Sequence, residues 1–259
     1  MNRFTRYHAA MDDPQTLTRD GAPLAYRHTQ GAGPLLVFLP GYMSDMTGAK
    51  AAALADWAAS RGRACLRLDY SGCGASGGDF LDGSIGRWTA DVRAVIDHVA
   101  PGAAVLLVGS SMGGWVALQA GLGLGDRLAG LVLIAAAPDF PDWGLGIIDS
   151  DRAALAAQGW FARPSDFDPG GYRYSAAFIA DAPSQRLLDN AIAITAPVVL
   201  LHGQRDDAVP WRLSLDIAER LCSDAVQVIL IKDGDHRLSR PSDLARLIAV
   251  VADLLGDGA

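Results

Sequence analysis

The sequence predicts an α/β fold: a mostly parallel, eight-stranded sheet flanked by helices, with one small insertion over an edge of the sheet. Three observations carry this. Short apolar runs alternate with longer amphipathic ones along the 259 residues. The last six of those runs are almost unbroken Val, Leu, Ile and Ala. One of them, 104–109, turns at once into a helical pattern through Gly109-Ser110-Ser111-Met112-Gly113. Alternation of strand and helix implies parallel strands joined by crossovers, and a continuous apolar run implies a strand covered on both faces.

In chain order, the strand candidates are QTLTR (15–19), PLAYRH (23–28), LLVFL (35–39), ACLRLDY (64–70), AVLLVG (104–109), LVLIAA (131–136), PVVLLH (197–202) and VQVILI (226–231). Helices are predicted at about 46–60, 84–99, 112–123, 210–222 and 241–255. In the last of these, Leu244, Leu247, Ile248, Val251 and Leu255 keep the spacing of one face packed on a sheet. Residues 138–190 break the rhythm. They hold no strong strand but carry Pro138, Pro141, Pro164, Pro169 and Pro183, with Trp143, Trp160, Phe161, Phe167, Tyr172, Tyr174 and Phe178. A long excursion in a compact domain is usually functional or has short helices of its own. The expectation is a single domain spanning 1–259, with a core of 1–137 and 191–259 and a lid over 138–190.

Composition narrows the function classes. Half the residues are hydrophobic and 20% are charged, which excludes intrinsic disorder. A formal net charge of −7 argues against nucleic acid or an anionic membrane as the main partner. Arg3 and Arg6 give a basic start with no apolar stretch after them, so no secretory signal is expected. The apolar runs at 35–39 and 131–137 fall far short of the ~18 residues of a membrane span. The cysteines, Cys65, Cys73 and Cys222, are odd in number and form no C-x-x-C, which suggests free thiols in a reducing cytoplasm.

Gly109-Ser110-Ser111-Met112-Gly113 is G-x-S-x-G in the strand-to-helix context that gives the motif meaning. The sharp turn forces its middle residue into a strained conformation, and side chains at the flanking positions would clash with strand and helix. Ser111, the only serine here with Gly at both −2 and +2, is thereby presented at a helix N-terminus, where developing negative charge is favoured. Serine needs a base and an orienting acid. Of His8, His28, His98, His202 and His236, only His236 lies in a loop after the last strand, in the chain order Ser, acid, His. His202 ends a strand and reads as a structural hydrogen-bonding residue. The acid belongs after the preceding strand, where Asp206 fits H-G-x-x-D-x-x-V-P. Asp207 reads as the N-terminal charge of the next helix, and Asp235 as a residue that holds the His236 loop. The oxyanion donors are expected to be the backbone N–H groups of Met112 and of Tyr42, in Pro40-Gly41-Tyr42-Met43-Ser44.

Two other patterns are weaker. Gly72-Cys73-Gly74-Ala75-Ser76-Gly77 matches G-x-G-x-x-G, but no helix begins where a pyrophosphate would need one, so a tight turn is expected. His202, Asp206 and Asp207 lack a second ligand pair at metal-site spacing.

These residues resemble the α/β-hydrolase family across nearly the whole chain. Within it they look like the mitochondrial palmitoyl-protein thioesterase and acyl-glucuronide esterase subgroup of animals. The shared wording is L-P-G-Y-M-S (39–44), R-L-D-Y-S-G (67–72), G-S-S-M-G-G-W (109–115), L-H-G-Q-R-D-D-A-V-P-W (201–211) and D-H-R (235–237). The resemblance places the triad on Ser111, Asp206 and His236, in agreement with chain order. It implies a serine hydrolase of acyl thioesters or carboxylic esters that acts on a small-molecule or acylated-protein substrate through an acyl-enzyme, with no metal or cofactor. A cytoplasmic, bacterial-looking relative is expected. Met43, Trp115 and Trp160 are candidates for an apolar acyl pocket, and each is also compatible with core packing. A serine peptidase of the same fold and a non-catalytic binding protein are the alternatives.

Overall fold

The computed structural model describes residues 13–165 and 170–257. Arg3, Arg6, His8, Phe167 and Pro169 lie outside the described residues. The core is an eight-stranded sheet. Its strands are β1 (Gln15–Arg19), β2 (Ala22–Thr29), β3 (Ala32–Leu39), β4 (Arg63–Leu68), β5 (Val105–Ser110), β6 (Leu128–Ile134), β9 (Val198–Gly203) and β10 (Val226–Ile231). They lie in the order β1-β2-β4-β3-β5-β6-β9-β10. β2 pairs antiparallel with both neighbours, and every pair from β4 to β10 is parallel.

Side-chain alternation explains the two cores. Leu35, Val37 and Leu39 of β3 join Trp88 and Val92 of α2 (Ile85–Val99) and Trp115 and Val116 of α3 (Met112–Leu124) on one face. Leu36 and Phe38 point the other way, to Leu54 of α1 (Ala49–Ser60) and Leu247 and Val251 of α8 (Pro241–Leu254). A period of two sends neighbours to opposite faces, so a strand between two helical layers must be apolar throughout. β5 and β9 are buried at all six positions. β10 departs from the expected pattern. It is an edge strand, and none of its six residues is fully buried.

β4 stops at Leu68, two residues before the end of its apolar run. The buried Asp69 carboxylate accepts from Met46 N at 2.7 Å and Ala75 N at 2.9 Å. It thereby turns the chain and ties together two loops at the carboxyl ends of the strands. α2 begins where Ser84 Oγ accepts from Arg87 N at 3.3 Å, an N-cap bond.

The segment after β6 contains α4 (Phe140–Trp143), α5 (Asp149–Gln158), a hairpin of β7 (Trp160–Arg163) and β8 (Tyr172–Ser175), and α6 (Ala176–Asp181). The hairpin corrects the expectation of no strands here. Its two four-residue strands pair only with each other, from Trp160↔Ser175 to Arg163↔Tyr172. Each run is too short to show a period of two. The ends of the segment are clipped together by Asp139, a buried residue with φ of 55° whose carboxylate accepts from Leu187 N and from Leu188 N at 2.8 Å. Among the described residues no helix is long and apolar enough to cross a membrane.

Candidate active site

Ser111 follows directly on β5 and precedes the first turn of α3, with φ of 56° and ψ of −122°. The elbow is pinned to the end of β6. Ser111 N donates to Ile134 O at 2.8 Å, and Ser111 O accepts from Ala137 N at 3.1 Å. A Cβ on Gly109 would overlap the Gly113 carbonyl, and one on Gly113 would overlap the Leu39 and Pro40 carbonyls. Both flanking glycines are therefore required by contact, as the motif predicts. Ser110 is a buried residue of β5.

His236 lies between β10 and α8. Its loop is fixed by Leu238 N donating to Asp235 Oδ1 at 2.9 Å, the holding role expected of Asp235. His236 Nε2 stands 3.1 Å from Ser111 Oγ, and Nδ1 stands 2.8 Å from Asp206 Oδ2. A carboxylate can only accept, so Nδ1 carries the hydrogen, and Nε2 presents a lone pair to the Ser111 hydroxyl. The Asp206 side chain is fully buried and that of His236 is 20% exposed. Burial alone would push the Asp206 carboxyl up. Hydrogen bonds from His202 and His236, with those of the Val209 and Ala208 amides, instead hold it well below the usual carboxylate range.

Asp207 does not start a helix. α7 spans Leu213–Arg220, so Asp207 lies well before it, exposed at the cavity beside Ser111. His202 is buried and bonds Asp206, Val209 and Ser214. It takes a structural hydrogen-bonding role, and one of its partners is Asp206, the expected acid. The H-G-x-x-D spacing, four residues along one strand end, was the available signal.

The loop after β3 packs on the serine. A Cβ on Gly41 would lie 3.4 Å from Ser111 Cβ. The Tyr42 ring is buried among Phe80, Trp88, Phe140, Tyr174 and Phe178, and its hydroxyl donates to the Arg173 carbonyl of β8. Met112 is buried.

Ser111 and His236 open on a cavity of about 920 Å³. Phe140, Trp143, Leu145, Tyr172 and Tyr174 give it apolar lining, and Asp45, Lys50, Asp207, Arg237 and Ser239 give it polar lining. Met43 lines the cavity as expected. Trp115 and Trp160 do not. Trp115 is fully buried behind Phe140, with its indole N–H donating to Gln185 O at 2.9 Å. Trp160 lies in β7 with the Arg173 guanidinium 5.6 Å from its ring. Phe140, Leu145 and Lys50 are wall residues that composition and spacing left unmarked. A second cavity of about 360 Å³ adjoins the first through Met43, Ser44 and Asp45 and reaches Cys73. Burial, with Asp69 and Asp91 adding to it, pushes the Cys73 thiol up to about 12, so it stays protonated. The glycine-rich segment that holds it closes as a turn, Gly72 N donating to Gly77 O at 2.8 Å; after it come a single 3-10 turn at Phe80–Asp82 and then α2 at Ile85.

A parallel sheet that delivers a serine from a strand-to-helix elbow and a histidine from the loop after its last strand defines an α/β hydrolase. The chain belongs to the α/β hydrolase family, whose model matches residues 36–247, and it is a hydrolase. It is 39% identical over 248 residues to a mouse protein described as the mitochondrial palmitoyl-protein thioesterase ABHD10, covering 92% of this chain and 81% of the relative. The crystal structure of a putative hydrolase from Agrobacterium vitis S4 superposes with a TM-score of 0.88 at 39% identity, covering 93% of this chain and 97% of that one. The mouse α/β hydrolase domain-containing protein 10 superposes with a TM-score of 0.86 at 37% identity, covering 95% and 99%.

Proposed function

We propose that this hydrolase cleaves acyl thioesters or carboxylic esters through a Ser111–His236–Asp206 triad. The observation that carries the reading is the unbroken hydrogen-bond chain from Asp206 through His236 to Ser111, ending at the larger cavity. Ser111 Oγ attacks the acyl carbon while His236 Nε2 takes its proton. The tetrahedral oxyanion is received by the N–H groups of Met112 and Tyr42. Among the described residues neither amide donates to another protein group, which leaves both available. Collapse breaks the bond to the leaving sulfur or oxygen, which takes the proton from Nε2, and an acyl-Ser111 ester remains. Water, losing a proton to Nε2, attacks that ester and releases the acid and Ser111.

The lid is the segment 138–190; the apolar side chains it lends the cavity suit an acyl chain, and the polar part of the lining suits the leaving group. The mouse relative, a palmitoyl-protein thioesterase by name, supports an S-palmitoylated protein as the substrate class. Three unpaired thiols, Cys65, Cys73 and Cys222, fit a reducing compartment such as the cytoplasm.

A fluorophosphonate probe is expected to label the folded protein at Ser111, and Ser111→Ala is expected to abolish labelling and turnover of acyl thioesters. Labelling elsewhere, or undiminished turnover by the variant, refutes the triad. A panel of acyl-thioester, ester and aminoacyl-amide substrates then decides between esterase and peptidase; preferential amide turnover would overturn the ester and thioester reading.

A further inference from the structure

We propose that His202 is a positioning residue for the reaction, a buried clamp that fixes the Asp206 carboxylate so that one oxygen points at His236. The proposal rests on the reading of Asp206 as the group that orients His236.

The geometry is as follows. Asp206 Oδ2 lies between two imidazoles, 2.8 Å from His236 Nδ1 and 3.0 Å from His202 Nε2. The other oxygen, Oδ1, accepts from Ala208 N at 2.9 Å and Val209 N at 2.8 Å. Four donors therefore hold the carboxylate, and no rotation about its terminal bond keeps all of them. Of the two imidazoles, His202 is the one that is fully buried while bonded on both sides of its ring. Its Nε2 faces two acceptors, Asp206 Oδ2 and, at 3.1 Å, the Val209 carbonyl. That nitrogen must carry a hydrogen. In neutral His202, Nδ1 is then a lone pair, and Ser214 Oγ of α7 stands 2.7 Å from it to donate. His202 is 0% and Ser214 1% exposed, so water does not compete for either contact. α7 thus reaches the reacting groups through one hydroxyl: Ser214 anchors the ring of His202, His202 holds Asp206, and Asp206 orients His236.

The chain also makes a directional prediction. The bond from His202 uses acceptor capacity on the same oxygen that faces His236. Without it, Asp206 becomes a stronger acceptor for His236 Nδ1–H and stabilises the protonated ring more. Loss of the clamp should therefore reduce turnover through misorientation and also move the acid limb of the pH–rate profile to higher pH. A loss of packing alone would lower activity without moving that limb upward.

The test compares wild type with His202→Leu, His202→Gln and Ser214→Ala, using a p-nitrophenyl ester, fluorophosphonate labelling and circular dichroism to verify folding. His202→Leu is expected to lower kcat roughly 10- to 100-fold with KM within about twofold, because a displacement near 1 Å costs on that order. His202→Gln, whose amide nitrogen can occupy the place of Nε2 and donate to Asp206, should recover most of kcat. Ser214→Ala removes the partner that anchors His202 Nδ1 and should change kcat and the acid limb in the same direction as His202→Leu, with little perturbation of the fold. If His202→Leu does not fold, Ser214→Ala and His202→Gln decide. A wild type that is not labelled at Ser111 overturns the triad and this proposal together. A labelled wild type with wild-type kcat in the folded variants, or with kcat lost but the acid limb unmoved, overturns this proposal alone.

Discussion

At the scale of single residues, Ser111, the proposed nucleophile, carries a local conformational cost. Its φ of 56° and ψ of −122° lie where a side chain is strained, at about 1–3 kcal/mol. Glycine relieves that strain, so Ser111→Gly is expected to raise the urea midpoint while abolishing labelling; a midpoint at or below wild type would show that no strain is stored there. The acid is equally specific. Asp206→Asn retains the shape but puts an amide donor among four N–H groups, and should lower kcat by about 10⁴ through the wrong His236 tautomer. Exposed Asp207, which has no such bonds, should tolerate the same change within a few-fold in ester hydrolysis kinetics. Equal losses in the two variants would reject the assignment. These residues were legible because turn sterics and chain order restrict where Ser, Asp and His can stand. The bond from His202 to Asp206 was legible only as the H-G-x-x-D spacing, because its geometry depends on the path of the chain from 203 to 209.

At the scale of elements, legibility followed length and burial. β5 and β9, buried at every position, were found within a residue or two, whereas the four-residue strands β7 and β8 were not. They are stabilised across the segment. The Arg163 guanidinium, at the end of β7, meets Asp151 of α5 at 2.6 Å, and Asp151 Oδ2 also accepts from Ile148 N at 2.9 Å at the start of that helix. The Arg163 bonds hold the Asp151 carboxyl down to about 2. A carboxyl lower in the folded state than its ordinary value of about 3.9 stabilises fully above that value, and the contribution is lost as pH falls toward 2. Hydrogen-exchange protection in α5 and β7, corrected for the intrinsic exchange rate at each pH, should therefore fall between pH 5 and pH 2. Asp151→Asn should show lower protection at pH 7 and less of this fall. An acid dependence unchanged in the variant would place the sensitivity elsewhere.

At the scale of the whole molecule, the site is a convergence. The loop after β3, the elbow after β5 and the loops after β9 and β10 meet at one end of a sheet whose order, β1-β2-β4-β3-β5-β6-β9-β10, separates them along the chain. Alternation of strands and helices predicts that these loops share an edge; it does not predict which side chains join them across it. Lys50 is one of those joins. It stands in the first turn of α1, and its ammonium donates to the Arg237 carbonyl and, at 3.3 Å, to Ser239 Oγ, fastening a helix on one side of the sheet to the His236 loop. Burial, reinforced by the positive Arg237 and only partly offset by Asp235 and Asp243, lowers its pKa to about 8. The unfolded chain holds the same proton up to about 10.4. Below pH 8 the fold therefore bears the full penalty of burying this charge. Between about pH 8 and pH 10.4 the native state holds fewer protons than the unfolded one, and the penalty is relieved as pH rises. Lys50→Met removes the proton from both states. In urea titrations from pH 7 to pH 10, the stability of wild type relative to Lys50→Met should increase with pH, because other titrating groups are common to both proteins. A difference that stays constant across that range would mean that Lys50 retains an ordinary proton affinity, and that the junction between α1 and the His236 loop is solvated rather than closed.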